Sequence, residues 1–225
     1  MEKRFLRTEA LIGRDSLKKL ENAHVAIFGI GGVGGYIAEA LARAGIGEIT
    51  IVDKDTVDET NINRQIIALS STIGKDKVEV MKERMLDINP NLKINAYKTF
   101  YLPDTAEQFD LKQYDYIADA VDTVTAKLEL ISRAKAAGVP IISAMGAGNK
   151  LSAEGFIVSD IFKTTVCPLS RIMRKELKKR GIDSLKVVYS KEDAKNTGGI
   201  TASMPYVPPV MGLIMAGEII KDLIK

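Results

Sequence analysis

The chain has 225 residues, 46% hydrophobic and 27% charged, with a formal net charge of +3. That balance argues against a disordered segment and supplies enough apolar material for one α/β domain of ordinary size. A single cysteine, Cys167, and a single histidine, His24, exclude an intramolecular disulfide, a zinc site with two or more cysteines, and a histidine-rich metal centre.

No apolar run approaches the roughly 18–20 residues that a membrane helix requires. The first stretch, MEKRFLRTEALIGRDSLKKL, alternates charged and apolar residues and lacks the apolar core of a secretory signal. A cytoplasmic protein without membrane contact is the expectation. The spacing predicts a helix over 8–20. His24 then stands just before the first strand, where it suits a structural or surface role.

From there β and α patterns alternate. Strands are expected at 24–29, 48–53, 93–98, 114–119, 140–145, 154–160 and 186–189, and helices at 33–44, 74–88, 124–137, 168–180 and 207–224. Ile49-Thr50-Ile51-Val52 is nearly continuous apolar sequence, as in parallel strands covered on both faces. Asn89-Pro90 and Gly138-Val139-Pro140 stop the helices before them. The reading is a single domain with a Rossmann-like, doubly wound, mostly parallel sheet: a nucleotide-binding core over 1–148 and a substrate-side extension over 149–225. The extension is expected to add antiparallel strands, in 154–160 and 186–206, and a closing helix.

Gly29-Ile30-Gly31-Gly32-Val33-Gly34 fits G-x-G-x-x-G between the first strand and the helix after it. Glycines there turn the chain tightly and let the backbone approach phosphate oxygens, at which the helix N-terminus aims free N–H groups. Asp53 ends the second strand, 19 residues after Gly34, where a carboxylate can accept from ribose hydroxyls. The bland alternative is a packing turn and then an exposed acid.

The residues after Asp53 separate this chain from a dehydrogenase. Hydride-transfer enzymes of this fold need a proton-transfer group near the nicotinamide, and the sole histidine lies before the phosphate loop. Asn61, Arg64, Gln65 and Lys77 instead offer polar and cationic groups to a phosphate chain, although Lys77 taken alone reads as a solvated helix residue. After the strand Tyr116-Ile117-Ala118 come Asp119 and Asp122. One of them can hold a Mg²⁺ that bridges phosphate oxygens, and Asp122 can equally cap the next helix.

Together, Gly-x-Gly-Gly-x-Gly, Asp53-x-Asp55 and Asn61-x-x-Arg64-Gln65 resemble the signature of the ubiquitin-activating-type (ThiF-like) adenylyltransferases over about residues 4–148, and the C-terminal helix resembles theirs again. The resemblance implies ATP as the nucleotide, with Gly31, Gly32 and Gly34 on phosphate, Asp53 on ribose, and Asn61, Arg64 and Lys77 on the triphosphate. It also implies Asp122 on Mg²⁺. Arg4-Phe5-Leu6-Arg7 is similar to the family's Arg-x-x-Arg, whose second arginine enters a partner's ATP site. That implies a homodimer with Arg7 supplied in trans.

The chain departs from the sulfur-carrier activators, which carry two CxxC pairs for zinc and often a capturing cysteine. Cys167 stands alone, so no zinc is expected, and a small apolar side chain is its expected role. The cysteine-poor pattern, Thr164-Thr165-Val166-Cys167-Pro168-Leu169 and the stretch Gly199 to Glu218 resemble the branch that acts on tRNA, the tRNA threonylcarbamoyladenosine dehydratases. That branch implies ATP-dependent cyclisation of the threonylcarbamoyl group through an acyl-adenylate. The alternatives are activation of the C-terminal carboxylate of a ubiquitin-like sulfur carrier and a non-catalytic nucleotide-binding scaffold. Between Lys163 and Lys191 nine Lys/Arg residues face two acids, a local excess suited to tRNA phosphates or to an ordinary solvated helix. Helix 168–180 is expected to turn Arg171, Arg174, Lys175, Lys178 and Lys179 to solvent.

Overall fold

The computed structural model describes residues 3–225. Seven strands form one sheet in the order β3-β2-β1-β4-β5-β7-β6. In sequence they are β1 (His24–Phe28), β2 (Glu48–Val52), β3 (Lys93–Tyr97), β4 (Tyr116–Asp119), β5 (Ile141–Ala144), β6 (Phe156–Asp160) and β7 (Lys186–Ser190). Every neighbouring pair is parallel except β6 with β7. β7 therefore extends the parallel sheet, and within the extension only the edge strand β6 runs the other way. The expectation of antiparallel pairing through 186–206 holds for β6 alone, since residues 191–206 form no strand. The physical reason is α6 (Pro168–Lys179), which carries the chain back across the sheet so that β7 enters beside β5 in the parallel sense.

The remaining helices are α1 (Leu6–Ile12), α2 (Arg14–Asn22), α3 (Gly34–Ala44), α4 (Lys77–Ile88), α5 (Val124–Ala137) and α7 (Val207–Leu223). The one helix expected over 8–20 is two, broken at Gly13, whose φ of 82° only glycine adopts without strain.

Alternation along each strand builds two cores. Val25 and Ile27 of β1, with Ile49 and Ile51 of β2, pack under α3, α4 and α7. Ala26 and Phe28 point to the other face, beneath α5 and α6 with Tyr101 and Phe109. α7 lies so close to the turn before α3 that a Cβ on Gly212 would overlap the Val33 carbonyl oxygen. Strand order reverses between β1 and β4, which opens a crevice beyond their carboxyl ends. His24 stays structural: it meets Thr50 Oγ1 at 2.8 Å and Tyr114 edge-on, and burial holds its pKa below the usual value despite Glu48 nearby.

Candidate active site

The crevice is a cavity of ≈ 800 Å³, enough for a nucleotide with a second reactant. Gly29, Gly31, Gly32, Asp53, Asn61, Arg64, Gln65, Lys77 and Asp122 all line it. Gly34 and Arg7 do not line it.

The glycines divide their labour. Gly29 has φ 90°, and a Cβ on it would lie 2.6 Å from the Ala120 carbonyl oxygen. A Cβ on Gly34 would overlap the Gly29 carbonyl oxygen outright. These two are demanded by the protein itself, which closes the loop between β1, α3 and the turn after β4. Around Gly31 nothing intrudes, since Gln65 Nε2 is the nearest atom at 3.8 Å. The fold therefore does not require glycine there, and the space beside Gly31 stays open to the cavity.

Asp53 is held in place by the protein's own backbone. Its Oδ2 accepts from Ile30 N–H at 2.6 Å and its Oδ1 from Asp55 N–H at 2.8 Å. The carboxylate is thus fixed against the glycine loop, with lone pairs left for hydroxyls. The short 3₁₀ turn over 59–61 shapes the next wall. Asp58 caps it while Asn61 Oδ1 accepts from Asp58 N–H, leaving the Asn61 amide nitrogen to donate into the cavity. Arg64 bonds the Thr60 carbonyl and Asn63 Oδ1, both at 2.9 Å, and among the described residues no carboxylate pairs with it. Lys77, first residue of α4, is buried and meets Asp55 at 3.1 Å. Lys77 is therefore not the solvated helix residue that its sequence context alone suggests.

Two aspartates stand at the end of β4 and just beyond it, and the structure separates them. Asp119 is fully buried, with Oδ2 taken by Lys127 Nζ at 3.0 Å and Ser143 Oγ at 2.5 Å. Asp122 is exposed, lines the cavity, and caps nothing, because Thr123 stands at the N-cap of α5 without a side-chain bond. Asp122 is thus the carboxylate of the two that is open to the cavity. Three buried polar atoms of lining residues, Gln65 Oε1, Tyr101 Oη and Thr123 Oγ1, have no hydrogen-bond partner among the described residues. Such atoms are expected to be satisfied by a molecule filling the cavity.

Sequence reasoning missed Lys127. It reads as one more polar residue in a helix, yet it is 1% exposed at the cavity floor and also donates to the Ala144 carbonyl at 2.7 Å. Its position on the inner face of α5, one residue before Leu128, was the available signal. Also unforeseen were the wall Thr99-Phe100-Tyr101, where Lys54 Nζ sits 4.0 Å over the Phe100 ring, and the opposite wall of Met145 to Gly148 with Thr201 and Ser203. The first suits a planar base.

Helix α6 starts beside the cavity with Leu169. Its basic face is narrower than the composition implied. Arg174 turns back to Thr164, Lys179 and Arg180 pair with Glu176, and Lys186 pairs with Asp222 at 2.6 Å. Arg171, Lys175 and Lys178 remain exposed on one helical stripe. Cys167 is 2% exposed within the second core.

A model described as the ThiF family matches residues 4–225. A Bacillus subtilis protein named tRNA threonylcarbamoyladenosine dehydratase is 43% identical over 98% of this chain and 94% of its own length. The structure of E. coli tRNA N6-threonylcarbamoyladenosine dehydratase in complex with ATP superposes with a TM-score of 0.93 at 35% identity, covering 98% of this chain and 93% of that one. The same E. coli protein in complex with AMP gives 0.93 at 35% identity over 98% and 94%.

Proposed function

Because this chain belongs to the ThiF family, we propose that it is an ATP-using enzyme that dehydrates the threonylcarbamoyl-adenosine of tRNA to a cyclic form. The threonyl carboxylate attacks the α-phosphate of ATP and pyrophosphate leaves. A neighbouring group of the same modification then closes on the activated carbonyl, and AMP departs with the former carboxylate oxygen. The observation that carries this reading is the pairing of a complete nucleotide wall with a second wall that brings no thiol to the cavity: the one cysteine is buried in a core. An intramolecular nucleophile needs no protein thiol, because its effective concentration is already high.

In this reading Gly31 and Gly32 admit the phosphates, Asp53 holds the ribose, and Thr99 to Tyr101 flank the base. Asn61, Arg64, Gln65 and Lys77 hold the phosphate chain, and the two cations offset charge that grows as pyrophosphate leaves. Among the described residues no group of three or more His, Cys, Asp or Glu side chains gathers as a metal site. Mg²⁺ on a nucleotide needs only one or two carboxylates besides phosphate oxygens, and Asp122 fits that donor set. Bound there, the ion would draw charge from the phosphate oxygens.

The exposed stripe Arg171, Lys175 and Lys178 runs from the cavity's acceptor side and supports tRNA as the partner. Arg7 lies exposed on α1 beside Leu6 and Leu11, which are 55% and 86% exposed. An arginine outside its own chain's cavity, on an apolar exposed helix, supports a homodimer in which it serves the other copy. Among the described residues no helix is long and apolar enough to cross a membrane. The proposed tRNA substrate is what points to the cytoplasm as the location.

The test is purified protein with ATP, Mg²⁺ and tRNA carrying the modification, read by nucleoside mass spectrometry. Loss of one water from the nucleoside, with one AMP formed per event, is expected. An unchanged nucleoside, together with pyrophosphate exchange driven by a small protein ending in Gly-Gly, would overturn the reading in favour of a carrier-protein substrate.

A further inference from the structure

Asp55 ties the ribose side of the cavity to the phosphate side. Its N–H donates to Asp53 Oδ1 at 2.8 Å, its carbonyl accepts from Lys77 N–H at 3.0 Å, and its carboxylate takes Lys77 Nζ at 3.1 Å. The two ends of that ion pair differ sharply in access, with the lysine side chain 7% exposed and the aspartate 52%. A buried ammonium without an anion is costly, so Asp55 is what lets Lys77 stay inside the cavity before a ligand comes. A phosphate chain that reaches Lys77 competes with Asp55 for the same ammonium. Of the two partners, only Asp55 has water to turn to.

We propose that Asp55 is a positioning residue that holds Lys77 ready, yields it to the phosphate chain of ATP, and reclaims it when pyrophosphate leaves, thereby weakening the grip on that product. The proposal rests on the ATP-cleaving reading above. It assigns Asp55 a role in turnover rather than in holding ATP. A carboxylate beside departing pyrophosphate opposes its retention, and a lysine that already has a counterion need not be desolvated anew in each cycle.

Asp55→Asn keeps the backbone bonds and removes the charge, so the variant is expected to fold. Calorimetric titration of the full chain with inorganic pyrophosphate and, separately, with ATP reads the effect. Asp55→Asn is expected to bind pyrophosphate roughly tenfold more tightly than the wild type at low ionic strength. The gain is expected to vanish in a Lys77→Gln background. Structural damage would weaken binding, so the direction of change discriminates. Unchanged or weaker pyrophosphate binding by Asp55→Asn, or a gain of equal size in the Lys77→Gln background, would overturn the proposal. A wild-type chain that takes up pyrophosphate but not ATP would break the functional reading, a failure distinct from that of Asp55.

Discussion

The two walls of the cavity are built by different means. The nucleotide wall, from Gly29 to Lys77, is fixed by its own backbone: glycines that admit no Cβ, a carboxylate pinned by two N–H groups, and a capped turn. The facing wall, Met145 to Gly148 with Thr201 and Ser203, is tied by side chains reaching across the sequence. Asn149 Oδ1 accepts from Ala202 N–H, Asn63 donates to the Ser203 carbonyl, and Tyr206 bonds the Leu151 carbonyl. Glu192 receives the N–H groups of Leu151 and Ser152 at 3.0 and 2.8 Å. One wall is preformed for a nucleotide. The other is held by contacts between segments distant in sequence, mostly through side chains, with the bond from Asn149 N–H to the Ala202 carbonyl beside them.

Lys127 sits where the walls meet, and removing it should blur the contrast most. Lys127→Met leaves Asp119 buried without its cation, at a cost of about 3–5 kcal/mol in stability. Because Asp119 also accepts from Val121 N–H and Lys127 holds the Ala144 carbonyl, both walls should loosen together. Chemical denaturation measures the stability. Hydrogen exchange confined to one wall would contradict the shared anchor.

Two glycine substitutions sharpen the comparison within the nucleotide wall. Gly34→Ala should cost about 3 kcal/mol or more, since backbone would have to move to relieve the contact with Gly29. Gly31→Ala should leave the melting temperature nearly unchanged and weaken ATP binding by roughly tenfold or more, as the new methyl occupies the phosphate's approach. Equal melting temperatures for the two variants would break the division of labour between fold and ligand.

The smallest expected effect is on the facing wall and depends on pH. The N–H groups of Ser152 and then Leu151 hold the Glu192 carboxyl below its ordinary value. Its contribution is therefore full above the ordinary glutamate range and fades as pH falls through the lowered folded value. As the pH falls through that lowered value, the amides of Leu151 and Ser152 should lose exchange protection, and Glu192→Ala should remove it already at neutral pH. Wild-type protection of both amides in Glu192→Ala would show that the Glu192 carboxylate does not hold this wall.

This contrast also explains which features could be read from the chain. The glycine loop, Asp53 and the Asn61–Gln65 turn are constrained by near neighbours, so their chemistry is written in short spacings. The strand and helix positions were legible for the same reason, apart from the break at Gly13 and the direction of β7. The Asp119–Lys127–Ser143 cluster depends on burial at the meeting of β4, β5 and α5, which no spacing displays. The facing wall depends on Asn149 meeting Ala202 and Asn63 meeting Ser203, partners brought together only by the finished sheet. The charge excess of 163–191 was visible, but its internal pairing through Glu176 and Asp222 was not.

The close approach of Gly212 to Val33 sets an order of events during synthesis. The phosphate loop is synthesised well before α7, the helix that braces its rear surface. Until α7 arrives, the apolar flank of α3 at Ile37 and Leu41 lacks the cover that Met211 and Met215 provide. A nascent chain that has made β1 and α3 but not α7 therefore carries the signature of a nucleotide site without its brace.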